Sequence, residues 1–316
     1  MPQINKENRN RYALVTGGTS GIGYELAKLL AKDGYNLILV ARNNQLLEET
    51  SDELKQQFSV EVTPLAADLF RCEAAEEIHQ KVTEMGVTVD VLVNDAGQGE
   101  WGPFLSSDTR RDCDIIQLNI TSLVALTKVF GREMVARNYG KILFLGSEAG
   151  ESPMPLLGVY AATKAFVISF SMALNNELQG TNVTTTVLMP GATDTDFFHK
   201  AHMEGTVTYK EKELASPADV AKDGYDAMMK GVAKVISGMK TKLHVFMSDM
   251  IGDVASAASN RKLMEESDKE TGKRSEPGHA HSRKERAEIN AATGQTSGDY
   301  PKGDHAKEVI ADQAVS

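Results

Sequence analysis

In the run Tyr160-Ala-Ala-Thr-Lys164 a phenol and an ammonium stand four residues apart, one turn from each other on the same face of a helix. That spacing suits a tyrosine that must exchange protons near neutral pH. Free tyrosine titrates near pH ~10, and an ammonium about 4 Å away at an effective dielectric of ~20 is worth roughly 4 kcal/mol, or about three pH units. Tyr and Lys at helical spacing also form ordinary solvated faces. The pair points to chemistry when other elements bring reactants to it.

Those elements begin near the N-terminus. Residues 12–16 form a short apolar, β-branched run, followed by Gly17-Gly-Thr19-Ser20-Gly21-Ile22-Gly23 and then by residues 24–32, apolar at helical spacing. This is strand, glycine turn, helix. Glycines at 17, 21 and 23 allow the tight turn and a close approach of pyrophosphate to the backbone, and the helix N-terminus offers unpaired N–H groups. Gly17, Thr19, Ser20, Gly21, Ile22 and Gly23 are therefore candidate contacts to a dinucleotide; the alternative is a merely flexible turn. The second strand, 36–41, ends at Arg42, where an NAD-preferring fold usually carries an acid. A guanidinium suits a 2'-phosphate, so NADP(H) is favoured over NAD(H), unless Arg42 only caps a strand end at the surface.

The alternation continues. A helix over 44–58, a strand over 60–66 ending at Asp68-Leu69, a helix over 72–85 and a strand over 89–93 ending at Asn94-Asp-Ala96-Gly97 follow in turn. From 107 to about 138 the pattern is helical and unusually apolar, with Asn119 inside it as either a satisfied core asparagine or a water-holding relay. The strand 141–145 ends at Gly146-Ser147, a loop spans 152–155, and the helix bearing Tyr160 and Lys164 runs to about 178. Strand 182–188 ends in Pro190-Gly191-Ala-Thr193. Residues 194–213 have no clear periodicity but contain Phe197, Phe198, Met203 and Tyr209, which reads as a lid over an apolar substrate. Ser216-Pro217 opens a helix through 229, a seventh strand covers 234–238, and weakly amphipathic helical segments reach about 264.

Strands and helices alternating in this way predict an α/β chain with one doubly wound, Rossmann-type domain, a seven-stranded parallel sheet and ligands at the carboxyl ends of the strands. The domain is expected over 11–264, after a polar lead at 1–10. Residues 265–316, poor in large apolar side chains, are expected to be a hydrophilic disordered tail. His279, His281 and His305 fall there and read as solvated side chains, so no metal site is expected.

The 316 residues are 41% hydrophobic and 25% charged, with a formal net charge of -10, which argues against nucleic acid and against an anionic membrane surface. No signal-peptide core is evident at the N-terminus and no apolar run is read as a membrane span. Cys72 and Cys113, in segments read as helical, have no metal-ligand spacing and are expected to be reduced thiols in a cytoplasmic protein.

With these residues in order, the chain resembles the classical short-chain dehydrogenase/reductase family over roughly residues 10 to 250. The markers are the glycine turn, Asn94-Asp-Ala-Gly97, Asn119, Ser147, Tyr160-x-x-x-Lys164 and Pro190-Gly191. One position departs from the pattern: Asp95 stands where the family carries a second asparagine. The resemblance implies that Tyr160 is the acid/base, that Lys164 lowers its pKa and binds the nicotinamide ribose, that Ser147 holds the substrate oxygen and that Asn119 holds a relay water. It also puts Asp68 and Leu69 by the adenine, Asn94, Ala96 and Gly97 along the ribose, and Pro190, Gly191 and Thr193 at the nicotinamide.

The implied activity is hydride transfer between NADP(H) and a carbonyl/alcohol pair, on a small apolar substrate. Within the family the chain looks more like NADP-dependent carbonyl reductases than like 3-oxoacyl-carrier-protein reductases, which end soon after the seventh strand. Family members pair through helices matching 112–137 and 158–178, so a homodimer or homotetramer is expected. The alternative is a nucleotide-binding regulator that senses NADPH without turnover, against which the intact Ser147, Tyr160 and Lys164 argue.

Overall fold

The computed structural model describes residues 8–269. Seven strands, β1 (Tyr12–Thr16), β2 (Asn36–Ala41), β3 (Val62–Ala66), β4 (Val89–Asn94), β5 (Gly140–Leu145), β6 (Val183–Met189) and β7 (Lys234–Ile236), form one sheet in the order β3-β2-β1-β4-β5-β6-β7. Every pairing is parallel. Helices α1 (Gly21–Lys32), α2 (Asn44–Phe58) and α9 (Pro217–Met229) cover one face. The other face carries α3 (Ala74–Glu84), α5 (Ser122–Ala136) and α6 (Gly158–Glu177).

Strand pleating divides the core. Ala13 and Val15 of β1 pack with Leu26, Leu39, Val91 and Val93 on the α1 side, while Leu14 between them packs with Ile38, Leu92, Phe130 and Phe144 on the α5 side. Both clusters are fully dry at their centres, which fixes the register Leu14↔Ile38 and Leu14↔Leu92, since a slip of one residue would exchange the two faces. Strand order reverses at β1. The connections leaving β1 and β4 go to opposite faces and open a crevice at the carboxyl ends of the strands.

The helical run read from about 107 begins instead with a short turn at Phe104–Ser106; Asp108 then caps α4 (Thr109–Ile116) by accepting the Arg110 N–H at 2.9 Å. Between α4 and α5 the chain winds one wider i→i+5 turn, Gln117–Thr121, which carries Asn119. Taken together, Thr109–Ala136 is long and apolar enough to cross a membrane by length and composition, which corrects the sequence expectation that no run is of that kind. In this fold Ile115, Leu123, Leu126, Phe130 and Met134 are buried, most of them against the sheet. The same apolar content serves a core helix.

Two further differences bear on the site. The segment read as aperiodic contains two short helices, α7 (Phe197–Lys200) and α8 (Val207–Glu211). The helical segments expected after the seventh strand are two helices, α10 (Met239–Ile251) and α11 (Asp253–Met264). Residues 265–269, assigned from sequence to the tail, bind the lid: Glu266 bridges Thr206, the Ser267 N–H donates to Gly205 O at 2.9 Å, and Lys269 pairs with Glu211. The remainder of the expected tail, with His279, His281 and His305, lies outside the described residues, as do residues 1–7. Asn8 belongs to the domain, its amide bonded to Asp33.

Candidate active site

The glycine turn is shaped by backbone demands that only glycine meets cheaply. Gly17 and Gly21 have φ of 72° and 58°. A Cβ on Gly17 would lie 3.1 Å from Ala96 N, and one on Gly23 would lie 2.6 Å from Gly17 O. Ser20 precedes α1 without capping it through its side chain, which leaves first-turn N–H groups other than that of Gly23 for a ligand anion. This cradle fits a pyrophosphate.

Across the crevice, after the end of β2, the Arg42 guanidinium lies 4.6 Å over the Phe70 ring. Asp68 accepts the Phe70 N–H at 3.2 Å and Leu69 is buried beneath it. One continuous cavity of about 2170 Å³ runs from the glycine turn and Arg42 past Ala96, Gly97 and Pro190–Thr193 to Ser147 and Tyr160. That length has room for a dinucleotide and a second molecule beside it.

The end of the crevice near Tyr160 holds the groups able to do acid/base chemistry. Ser147 follows β5; its Oγ accepts the Ala149 N–H at 3.1 Å, which holds the hydroxyl in place, and it also hydrogen-bonds the Tyr160 phenol. Tyr160 is partly buried, its ring 4.8 Å from that of Phe197 in the lid. Lys164 is buried one turn on, donating from Nζ to Leu145 O at 2.7 Å and standing 5.6 Å from the Tyr160 ring centroid.

This geometry corrects the simple electrostatic expectation for the pair. Burial is the largest influence on both groups. It pushes the Tyr160 phenol up to about 12, against the hydrogen bond from Ser147, and the Lys164 ammonium down to about 8, against the pull of Asp95. Tyr160 is thus a protonated donor at neutral pH.

Two other candidates sit differently from their sequence reading. Asn119 is fully bonded within the protein: its Oδ1 accepts the Gln98 N–H at 3.0 Å, and its Nδ2 donates to Gln98 O and Thr163 Oγ1, each at 2.9 Å. It braces the loop after β4 against α6. Asn94 turns into the seam between β4 and α5, where Nδ2 donates to Thr127 Oγ1 at 3.1 Å, and does not line the crevice. Gly23 and Lys164 likewise lie behind the lining, while the other candidate cofactor contacts face it. Among the described residues no cluster of His, Cys, Asp and Glu could hold a metal ion.

Sequence reasoning passed over three features of the site. Asp95, treated as a minor departure, lies against the glycine turn: it accepts the Gly23 N–H, while its Oδ1 is buried without a hydrogen-bond partner. Burial pushes this carboxyl up to about 7, against the attraction of Lys164 and Lys200. Lys200 of α7 is the second: desolvation and Arg42 push its ammonium down while Asp95 pulls it back up. Only folding brings this lid lysine to the crevice. The third is the part that Met264, at the end of α11, plays in the outer wall of the pocket. Trp101 Nε1 donates to Met264 O at 2.7 Å, and Met264 packs with Phe198, Met203 and Tyr209.

The sequence profile described as short chain dehydrogenase matches residues 11–205. The very-long-chain 3-oxoacyl-CoA reductase of Coprinopsis cinerea is 38% identical over 175 residues, covering 54% of this chain and 51% of that protein. The chain thus spans about half the length of that relative. The uncharacterized oxidoreductase YvrD of Bacillus subtilis is 33% identical over 227 residues, 72% of this chain and 81% of that one. Among solved structures, a short-chain dehydrogenase from Sphingobium yanoikuyae in complex with NADPH superposes with a TM-score of 0.68 at 26% identity, over 82% of this chain and 99% of the other. The chain belongs to the short-chain dehydrogenase family.

Proposed function

We propose that this short-chain dehydrogenase is an NADP(H)-dependent reductase of apolar carbonyl compounds. The observation that carries the reading is the joining, in one crevice, of an end marked by the glycine turn and Arg42 to an end where Ser147 and Tyr160 meet, with Lys164 behind them. When bound, the nicotinamide supplies or accepts the hydride. The Gly17–Ile22 turn would hold its pyrophosphate, Arg42 the 2'-phosphate, and Ala96, Gly97 and Pro190–Thr193 the segments between.

The chain's own residues handle the proton. Tyr160 donates its phenolic hydrogen to the substrate oxygen as the carbonyl carbon is reduced, and Ser147 donates a hydrogen bond to that same oxygen. Lys164, bonded to Leu145 O, places positive charge behind the phenol and stabilises the phenolate left after transfer. A phenol pushed up to about 12 carries its proton at neutral pH, which is the protonation state from which reduction starts. The word reductase in the relatives' names supports the same direction. The substrate end is walled by Met154, Leu157, Phe198, Met203, Leu263 and Met264, which supports an apolar body around the reacting carbonyl.

The test is NADPH consumption against aliphatic, aromatic, steroidal and 3-oxoacyl-thioester carbonyls, with NADH in parallel. Tyr160→Phe is expected to lower kcat about a hundred- to ten-thousandfold while leaving NADPH affinity within about threefold. Turnover that survives Tyr160→Phe, or that runs faster with NADH, contradicts the proposal.

A further inference from the structure

Helix α10 is built inside out. Its inward positions carry Thr241, His244, Val245 and Ser248, whereas Met239, Leu243, Phe246, Met247, Met250 and Ile251 point outward, between 47% and 79% exposed. The inward side is seated on the body of the protein: Thr241 packs against Gly191, its Oγ1 2.6 Å from where a Cβ there would sit, and His244 Nδ1 bonds Glu148 Oε2 at 3.0 Å. The outward stripe is contiguous over a helix of thirteen residues, roughly 20 Å long. Single exposed apolar side chains are ordinary; a stripe of this extent marks a contact surface.

The order of side chains along the stripe says what it contacts. Leu243 and Met250, and Phe246 and Met247, are symmetric about the midpoint between 246 and 247. Two such helices laid antiparallel about a two-fold axis through that midpoint place Leu243 opposite Met250 of the partner subunit and Phe246 opposite Met247 of the partner subunit. Lys242 stands at one end beside Lys240, which already pairs with Glu213 of its own chain, while Asp253 and the helix carbonyl terminus stand at the other. The same register sets each copy's ammonium groups beside the other's negative end. A lipid surface would call for a rim of one sign; this rim has both, arranged to complement itself.

We propose that α10 is the surface through which a second copy of this chain docks, as an isologous antiparallel helix pair. This face is distinct from the α5 and α6 faces, and the inference does not depend on the cofactor or substrate reading. Because the inner side of α10 rests on Gly191 and Glu148, docking braces the Pro190–Thr193 loop from behind.

The experiment uses the full chain with Cys72→Ser and Cys113→Ser, since both native thiols are free and exposed. In that background Met247→Cys, next to the axis, is expected to give mostly disulfide-linked dimer on mild oxidation. Lys222→Cys, exposed on α9, is expected to stay monomeric. In parallel, Phe246→Glu is expected to weaken self-association in sedimentation equilibrium at least tenfold, with an unchanged urea midpoint. The proposal is overturned if Met247→Cys links no better than Lys222→Cys, or if Phe246→Glu leaves association unchanged. A monomeric chain whose Met247→Cys thiol is shielded from a bulky maleimide overturns it in favour of a segment of the same chain. Flotation of a monomeric chain with phosphatidylcholine vesicles overturns it in favour of lipid.

Discussion

Replacing Asp95 by asparagine tests how this family fold tolerates an acid pressed against its phosphate-binding turn. The carboxyl is hemmed in by the Gly23 N–H on α1, Lys164 and Tyr160 on α6 and Lys200 on α7, and its Oδ1 has no hydrogen-bond partner. Burial raises it from 3.8 to about 7 even with both lysines pulling down. The folded state therefore binds a proton that the unfolded state has released, everywhere between those two values. Stability contributed by this group is fully present below pH ~4 and is lost as pH rises through about 7, at ~1.4 kcal/mol per pH unit.

A neutral amide in the same place would carry no such penalty. The Asp95→Asn protein is expected to gain on the wild type from pH 5 to 7, by about 2 kcal/mol across that interval, with a constant difference above pH ~8. Urea unfolding followed by the fluorescence of Trp101, the single tryptophan, reads the difference at each pH. A stability difference that does not change with pH would show that Asp95 is ionised in the folded state throughout, and would refute the desolvation argument.

Other perturbations separate the parts of the site. Arg42→Leu is expected to raise the KM for NADPH about tenfold or more while leaving NADH within about threefold, because it removes charge-assisted bonds that only a 2'-phosphate can use. Steady-state kinetics with both cofactors read this directly. Gly23→Ala pushes a methyl toward Gly17 O and the Asp95 carboxylate, so urea denaturation should register a loss of about 1–3 kcal/mol and fluorescence titration a weakened grip on NADPH. Trp101→Phe deletes the bond to Met264 O that ties α11 to the pocket wall. Loss of about 0.5–1.5 kcal/mol there should appear as a raised KM for bulky carbonyls with kcat little changed.

Local and long-range order in this molecule divide along a physical line. The parallel sheet was legible because the central strands β1, β2 and β4 are almost unbroken apolar runs, flanked by helices of 3.6 periodicity, and both signals are local. The glycine turn was legible because positive φ at Gly17 and Gly21 leaves few other residue choices. The order of Ser147, Tyr160 and Lys164 followed from strand ends and one helix face. The lid helices were hidden since four- and five-residue helices carry no periodicity to detect. The residues 265–269 were hidden because a polar strap held by backbone bonds to the lid looks, in composition, like any solvated segment.

What the chain determines by itself, then, is which elements form and which side chains they carry to the carboxyl edge of the sheet, because those depend on neighbours a few residues away. Charge and reach were decided only by folding. The acidity of Tyr160, Lys164 and Asp95 is set mainly by how much water the packed crevice removes from them, with the charges around them second. The meeting of Asp95 with Lys200, and of Trp101 with Met264, joins groups more than a hundred residues apart, and no local pattern encodes such a contact.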